Sequence, residues 1–187
     1  MAKSNTEVKV LLKNVRLSFP TLFKAQQVNG QGDPKFSATA LLDPDNKEHA
    51  KIIDEIKAKI KATAVAKWGE GKVPKAVKYC LQDGNEKDYD GYEGMLFLPA
   101  SNKTRPVVVD RGRNPVAEED GIVYAGCYVN MTVSFWAQDN QFGKRINANL
   151  RAVQFVKDGE SFGAGHVDAE DEFDILDEMD DDGEDLF

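Results

Sequence analysis

Residues 7–19 read EVKVLLKNVRLSF and contain the feature that decides the fold class. Side chains alternate between two faces along an extended strand. The apolar residues before Asn14 share one face: Val8, Val10 and Leu12. Those after Asn14 follow the opposite phase: Val15, Leu17 and Phe19. A slip of one residue inside a strand indicates a β-bulge or a sharp bend, and we expect this bent strand to end at Pro20.

The next segments predict a turn, a second strand and a helix. Residues 28–34 contain two glycines and Asp-Pro, which is typical of a turn, and residues 35–43 alternate as a strand. Asp45 is the predicted N-cap of a helix that ends near Trp68, before Gly69. Its apolar positions recur at helical spacing: Ile52, Ile53, Ile56 and Ile60.

The rest of the chain predicts further strands without another helix. Residues 69–94 are rich in Gly, Asp, Asn and Lys and are expected to be irregular, and residues 111–121 form a loop. The predicted strands cover residues 95–99, 105–110, 122–137 and 144–157. Five or so strands, one helix and a bent first strand favour a mainly β OB-fold, a five-stranded Greek-key barrel. From pattern alone a β-sandwich remains the alternative.

Charge divides the chain into two parts. The 187 residues suit one domain and carry a net charge of −8. Residues 168–187 hold twelve of the 32 acidic residues and no Lys or Arg, so the remaining 20 acidic and 24 basic residues give the body a charge of +4. We therefore predict a folded domain over residues 1–165 and a disordered acidic tail over residues 166–187.

Several chemical classes lack their signatures. The chain shows no apolar signal segment or membrane-spanning run, which together with two isolated cysteines, Cys80 and Cys127, indicates a cytoplasmic protein with reduced thiols. His49 and His166 have no partners in a metal or catalytic pattern and are expected at the surface. We expect no enzyme activity, no metal and no cofactor.

Residues 123–137, VYAGCYVNMTVSFWA, alternate strictly between an apolar face and a second face. The second face carries three large aromatic side chains that should meet solvent: Tyr124, Tyr128 and Trp136. Aromatic side chains on an open sheet offer stacking surfaces for unpaired bases, although each ring could instead pack under a loop. On the next strand Ile146, Ala148, Leu150 and Ala152 form the core face, and cationic and amide residues form the other. The sequence therefore predicts a nucleic-acid surface on these two strands.

The predicted nucleic-acid residues extend beyond the two strands. The hairpin between them presents Phe142 beside Lys144, and a second basic group surrounds another β connection. The full set is Tyr124, Tyr128, Trp136, Phe142, Lys144, Arg145, Asn147, Arg151, Lys103, Arg105, Arg111 and Arg113. Cations suit phosphates and amides suit base edges, although an ordinary solvated strand face has the same composition.

The acidic tail ends in an apolar tip, which is a suitable peptide ligand for a basic pocket. The predicted partner-binding residues are Asp180, Asp181, Asp182, Glu184, Asp185, Leu186 and Phe187. A tethered polyanion can also compete with DNA for a basic groove. A short amphipathic segment in the tail contains four apolar residues: Phe173, Ile175, Leu176 and Met179.

The basic β-rich body, the YAGCYV and LRAVQFV segments and the acidic tail with its final aromatic residue together resemble a family. The chain is similar to the single-stranded DNA-binding proteins of tailed bacteriophages, and most to a group long known only as phage proteins of unknown function. The resemblance implies an OB-fold, binding without sequence preference, and a role in phage DNA replication or recombination within the infected bacterium. It also implies that the tail recruits replication or recombination proteins.

Three other functions remain open. A strand-annealing recombination protein would share all these features. A metal-dependent nuclease would need carboxylates clustered in the folded body, where the acidic residues are scattered. A DNA mimic whose acidic tail is the whole function is opposed by the basic body. The sequence predicts no membrane partner and leaves the oligomeric state undetermined.

Overall fold

The computed structural model describes residues 9–28 and 31–162. In chain order the strands and the helix are β1 (Lys9–Val28), β2 (Gln31–Leu42), α1 (Lys47–Trp68), β3 (Lys78–Tyr79), β4 (Gln82–Asp83), β5 (Leu96–Asn102), β6 (Val107–Val109), β7 (Tyr128–Asn140) and β8 (Gly143–Lys157). The predicted domain boundary at residue 165 and the predicted tail lie outside the described residues.

Five strands close into a barrel in the order β1–β2–β5–β8–β7 and back to β1. The β5–β8 pair is parallel, with Ala100 opposite Ala148, and the other four pairs are antiparallel. Inward side chains such as Leu12, Leu98 and Met131 are fully buried in the barrel. The closed barrel excludes the sandwich and confirms the predicted mainly β OB-fold with one helix.

The bend predicted at Asn14 is confirmed. The register between β1 and β7 shifts between Leu12 and Val15, and Asn14 has a φ of 52°. Asn tolerates this left-handed region better than most residues. Its backbone N–H donates to Asn130 Oδ1 at 3.0 Å, which holds the bulge against β7.

The expected end of the first strand at Pro20 is wrong, because β1 continues to Val28. A second irregularity puts Phe19 and Pro20 between the paired residues Ser18 and Thr21. Pro20 therefore lies at a bulge, where its missing N–H removes no ladder bond. The turn predicted over residues 28–34 is correspondingly too long, since β2 begins at Gln31.

The helix α1 covers one end of the barrel by packing against β1 and β7. Its N-cap is Asn46 and not the predicted Asp45, because the Asn46 side chain accepts hydrogen bonds from the next turn. The predicted end at Trp68 and the burial of the predicted apolar positions are confirmed. His49, expected at the surface, is 8% exposed; its Nδ1 accepts from the Asp43 N–H, so its Nε2 donates to the Asn14 carbonyl at 2.9 Å.

The strands that carry the predicted surface differ from their expected bounds. β7 begins at Tyr128 and not at Ile122, because the chain turns at Gly126, which has a φ of 108°. In β8 the register shifts at Arg151, so Val153 is buried in place of the predicted Ala152. Residues 69–94 contain the short strands β3 and β4, and residues 95–99 and 105–110 correspond to β5 and β6 with shifted bounds. The loop over residues 111–121 is confirmed apart from a short 3-10 turn at Glu118–Asp120.

The two cysteines, Cys80 and Cys127, are buried free thiols. Among the described residues no helix is long and apolar enough to cross a membrane.

Candidate nucleic-acid interface

A groove of about 870 Å³ lies on the outer surface of the barrel. We call it the interface groove. Its floor and walls come from four barrel strands, β2, β5, β7 and β8. Along these strands polar and apolar side chains alternate, and the polar ones face outward. The short strand β3, the tip of the β7–β8 hairpin and Phe19 of β1 complete its rim.

Four aromatic side chains line the interface groove among the described residues: Phe19, Tyr79, Trp136 and Phe142. All four are large rings left open to solvent, with exposed fractions of 58%, 44%, 43% and 74% respectively. Trp136 and Phe142 were predicted from the sequence, and Phe19 and Tyr79 were not. Exposed rings that share one groove form a series of stacking surfaces for planar ligands.

Phe19 is held in the groove rim by an unusual backbone. Its φ of 46° lies in the left-handed region, which a bulky aromatic residue rarely adopts. Its ring meets Tyr89 edge-on, with centroids 5.1 Å apart, and Tyr92 lies behind both and donates from its hydroxyl to Ser18 Oγ at 2.8 Å. Strained residues of this kind cluster at binding sites, where the surrounding structure supports them.

The charges of the interface groove are positive. Lys78 of β3 and Arg145 of β8 are paired neighbours in the parallel ladder, and Lys35 lines the β2 wall. The side chains of Lys78 and Arg145 form no hydrogen bond or ion pair within the described part of the chain. The described lining includes no Asp or Glu. Like charges on paired strand positions destabilise a sheet, so this pair is suited to an anion that bridges it.

Amide side chains fix the floor between the rings and the cations. Asn147, which is the cross-strand partner of Trp136, donates from Nδ2 to Gln138 Oε1 at 3.0 Å. Gln138 in turn donates to Asn140 Oδ1 at 3.2 Å near the hairpin tip. This chain of hydrogen bonds orients amides that can exchange hydrogen bonds with polar ligand edges. The structure thus brings together four of the predicted residues: Trp136, Phe142, Arg145 and Asn147.

The other two predicted aromatics lie away from the groove. The Tyr124 hydroxyl is 3.0 Å from Asp158 Oδ1 and accepts from the Gly159 N–H at 3.1 Å, so the ring holds the chain that follows β8. Burial raises the pKa of this hydroxyl. Tyr128 lies beneath Lys157, whose Nζ is 4.8 Å from the ring centroid. The turn at Gly126 thus removes Tyr124 from β7, and Tyr128 lies at the opposite end of that strand from the groove.

The second basic group also lies outside the interface groove, and three of its members have partners. Lys103 forms an ion pair with Asp33 at 2.7 Å, which lowers the pKa of that carboxyl. Arg105 donates to the Phe23 carbonyl at 3.1 Å and Arg111 to the Val156 carbonyl at 2.5 Å. The remaining predicted cations are absent from the groove lining: Lys144, Arg151 and Arg113.

The described residues provide no arrangement for metal or thiol chemistry in this groove. No group of three or more His, Cys, Asp or Glu residues could hold a metal ion there or elsewhere in residues 9–28 and 31–162. Cys80 lines the groove but is buried, and burial raises the pKa of its thiol to about 12. A thiol that stays protonated at neutral pH is a poor nucleophile. The predicted partner-binding residues 180–187 lie outside the described residues.

Comparisons with known proteins show the family of this chain. Residues 8–186 match the family model of the ssDNA-binding protein of Enterobacter phage Enc34. Protein p50 of Acyrthosiphon pisum secondary endosymbiont phage 1 is 46% identical over 177 residues, which cover 90% of this chain and 94% of p50.

Two solved structures are also similar. The single-stranded DNA-binding protein of bacteriophage Enc34, solved in complex with ssDNA, superposes with a TM-score of 0.73 at 33% identity and covers 83% of this chain and 89% of its own. Gp2.5 of bacteriophage T7, a single-stranded DNA-binding protein, shares the fold with a TM-score of 0.54 at 17% identity, over 89% of this chain and 96% of its own. This chain belongs to the family of the Enterobacter phage Enc34 ssDNA-binding protein.

Proposed function

We propose that this protein binds single-stranded DNA in the interface groove, without sequence preference and without catalysis, during phage DNA replication or recombination. The observation that carries the proposal is the combination of four exposed rings and an unpartnered cation pair in one groove whose described lining has no carboxylate. Rings stack on any base, and cations follow the phosphates. Neither contact reads sequence.

The position of the groove supports the same function. In OB-folds oligonucleotides bind across the second and third barrel strands, flanked by the loop between the fourth and fifth. Here those strands are β2 and β5, which supply Lys35 and Ser101 to the groove, and the corresponding loop carries Phe142. The Enc34 relative at 33% identity was solved in complex with ssDNA. A shared fold alone would be weak support, so the proposal rests on the side chains.

The groove geometry favours single strands over duplex. The indole of Trp136 and the ring of Tyr79 can stack only on bases whose faces are free. In duplex DNA the faces are occupied by neighbouring bases, and only the phosphates remain for Lys78 and Arg145. Duplex binding would then keep the electrostatic part of the affinity and lose roughly 1–3 kcal/mol per stacked base.

The acidic tail is proposed to have two further roles. Residues 168–187 carry twelve acidic residues on the same chain as a positive groove, so they compete with DNA at the high effective concentration of a tethered ligand. The terminal segment from Asp180 to Phe187 recruits replication or recombination proteins. We propose that the protein acts in the cytoplasm of the infected bacterium.

Fluorescence anisotropy with labelled single-stranded and duplex oligonucleotides across a salt series tests the function. We expect tighter binding to the single strand, similar affinities for different base compositions, and an affinity that falls as salt rises. Equal affinities for single strand and duplex would contradict the proposal. A strand-annealing protein would in addition accelerate the pairing of complementary strands, and degradation of DNA in the presence of Mg²⁺ by pure protein would favour the nuclease.

A further inference from the structure

A second groove, of about 700 Å³, lies between α1 and residues 69–81. We call it the helix groove. Its lining is mainly apolar and comes from both sides, with Ile60, Ala64 and Val65 on the helix and Val73 and Leu81 opposite. Tyr79 lines both the helix groove and the interface groove. Nothing in the proposed DNA contacts uses the apolar surface of the helix groove.

The rim of the helix groove is basic. Lys57 and Lys61 line it from successive turns of α1, both side chains are exposed, and neither forms an ion pair within the described ranges. Like charges four residues apart destabilise a helix slightly. A ligand with apolar side chains between carboxylates would relieve this repulsion and cover the apolar wall at once. Glu70, the single carboxylate in the described lining, leaves the rim positive.

One segment of this chain has that chemistry. Residues 173–179 read FDILDEM, and place Phe173, Ile175, Leu176 and Met179 among three carboxylates. The segment begins eleven residues after Phe162, the last described residue. Eleven extended residues reach about 40 Å, which is about the diameter of a sphere with the radius of gyration of about 15 Å expected for a domain of this size.

We propose that residues 173–179 dock in the helix groove, with their apolar side chains against Ile60, Ala64 and Val65 and their carboxylates beside Lys57 and Lys61. The tail is thereby held through apolar contacts as well as charge, at a site adjoining Tyr79. This docking is independent of whether the interface groove binds DNA. It differs from simple competition by a polyanion, which depends on the number of charges and not on the apolar residues.

Zero-length cross-linking of the full-length protein with a carbodiimide tests the docking, because this reagent joins a Lys amine only to a carboxylate in direct contact. The monomeric product is digested and analysed by mass spectrometry, in the absence of DNA. We expect cross-links from Lys57 or Lys61 to Asp174, Asp177 or Glu178. The double substitution Phe173→Ser and Leu176→Ser leaves the net charge unchanged and should abolish these cross-links.

Ala169→Ser is the matched control, since it adds a serine to the tail outside the docking segment and should preserve the cross-links. Both variants leave every core residue of the described ranges unchanged. Cross-links that persist in the double variant would overturn the proposal, because charge alone would then account for them. Cross-links of these carboxylates only to Lys35 and Lys78 of the interface groove would overturn it as well. The cross-linking is done without DNA, so its result does not depend on whether the protein binds DNA.

Discussion

The proposed contribution of Trp136 to DNA binding is the easiest to isolate, because Tyr128 provides a control on the same strand. Trp136 lines the interface groove, whereas Tyr128 packs beneath Lys157 outside it. We expect Trp136→Ala to weaken single-strand binding by about 1–3 kcal/mol, the range for loss of one stacked base. Tyr128→Ala should bind nearly as the parent does. Equal losses in anisotropy titrations of the two folded variants would show that the groove is not the binding surface.

Gly126 is the backbone position against which the chain packs after β8. Its φ is 108°, and a Cβ there would lie 2.1 Å from the Glu160 carbonyl oxygen. Gly143 has a similar φ of 117° but no atom within 4 Å of its Cβ position. Strain alone should cost each alanine variant about 1–3 kcal/mol of unfolding free energy. We expect Gly126→Ala to lose clearly more than Gly143→Ala in urea denaturation, and equal losses would contradict the close approach.

At the residue scale the sequence predicted only part of the groove. Strict alternation identified Trp136, Arg145 and Asn147, because β7 and β8 are neighbours and their outward faces can be read from the sequence. Phe19 was assigned by phase to the apolar face of the first strand, and its bulge turns it outward instead. Tyr79 lies in a two-residue strand, which is too short for any periodic signal.

At the scale of elements, the pairing of β3 with β8 brings Lys78 and Arg145 together. It leads to a quantitative prediction for the salt dependence of DNA binding. Lys78→Gln and Arg145→Gln should each reduce the slope of log affinity against log salt by about 0.7, if each removes one phosphate contact on a single strand. Arg111→Gln is the control, because its guanidinium is hydrogen-bonded to the Val156 carbonyl outside the groove. A similar slope reduction in the Arg111 variant would place the phosphates elsewhere.

The same substitutions, which should weaken DNA binding, are expected to increase the stability of the fold. Lys78 and Arg145 place like charges on paired strand positions. Removing either charge should therefore raise the free energy of unfolding slightly, by about 0.2–1 kcal/mol, at low salt. Chemical denaturation in low-salt buffer measures it. Lower stability in both variants would indicate that the pair contributes packing that outweighs its repulsion.

The sequence predicts the type of most elements correctly, but it predicts their first and last residues less well. The slip at Asn14 and the helix ending at Trp68 depend on local patterns and were read correctly. The prediction that the strand ends at Pro20 is wrong because a proline at a bulge interrupts no ladder bond. The bulge at Arg151 could not be predicted from the sequence. The mostly apolar residues 152–156, AVQFV, allow either set of alternate residues to face the core.

At the scale of the whole molecule, the uneven charge predicts the effect of the tail. Deleting residues 168–187 changes the net charge from −8 to +4, because twelve acidic residues and no basic ones are removed. The shortened protein should bind single-stranded DNA more tightly, mostly at low salt, since screening weakens tail and DNA contacts alike. Deleting only Leu186 and Phe187 should leave the affinity almost unchanged. Weaker binding by the shortened protein would contradict the prediction, because the tail would then increase the affinity for DNA.

The two tryptophans of the chain allow the most direct test of the interface groove. Trp136 lines the groove, whereas Trp68 ends α1 and donates from Nε1 to Asp139 Oδ2 at 3.0 Å. A base stacked on an indole quenches its fluorescence, so the Trp68→Phe variant reports on Trp136 alone and Trp136→Phe on Trp68 alone. The measurement is the tryptophan fluorescence of each variant during titration with oligo(dT). We expect saturable quenching in Trp68→Phe and little change in Trp136→Phe. Unquenched Trp136 in a protein that binds the oligonucleotide by anisotropy would contradict the account.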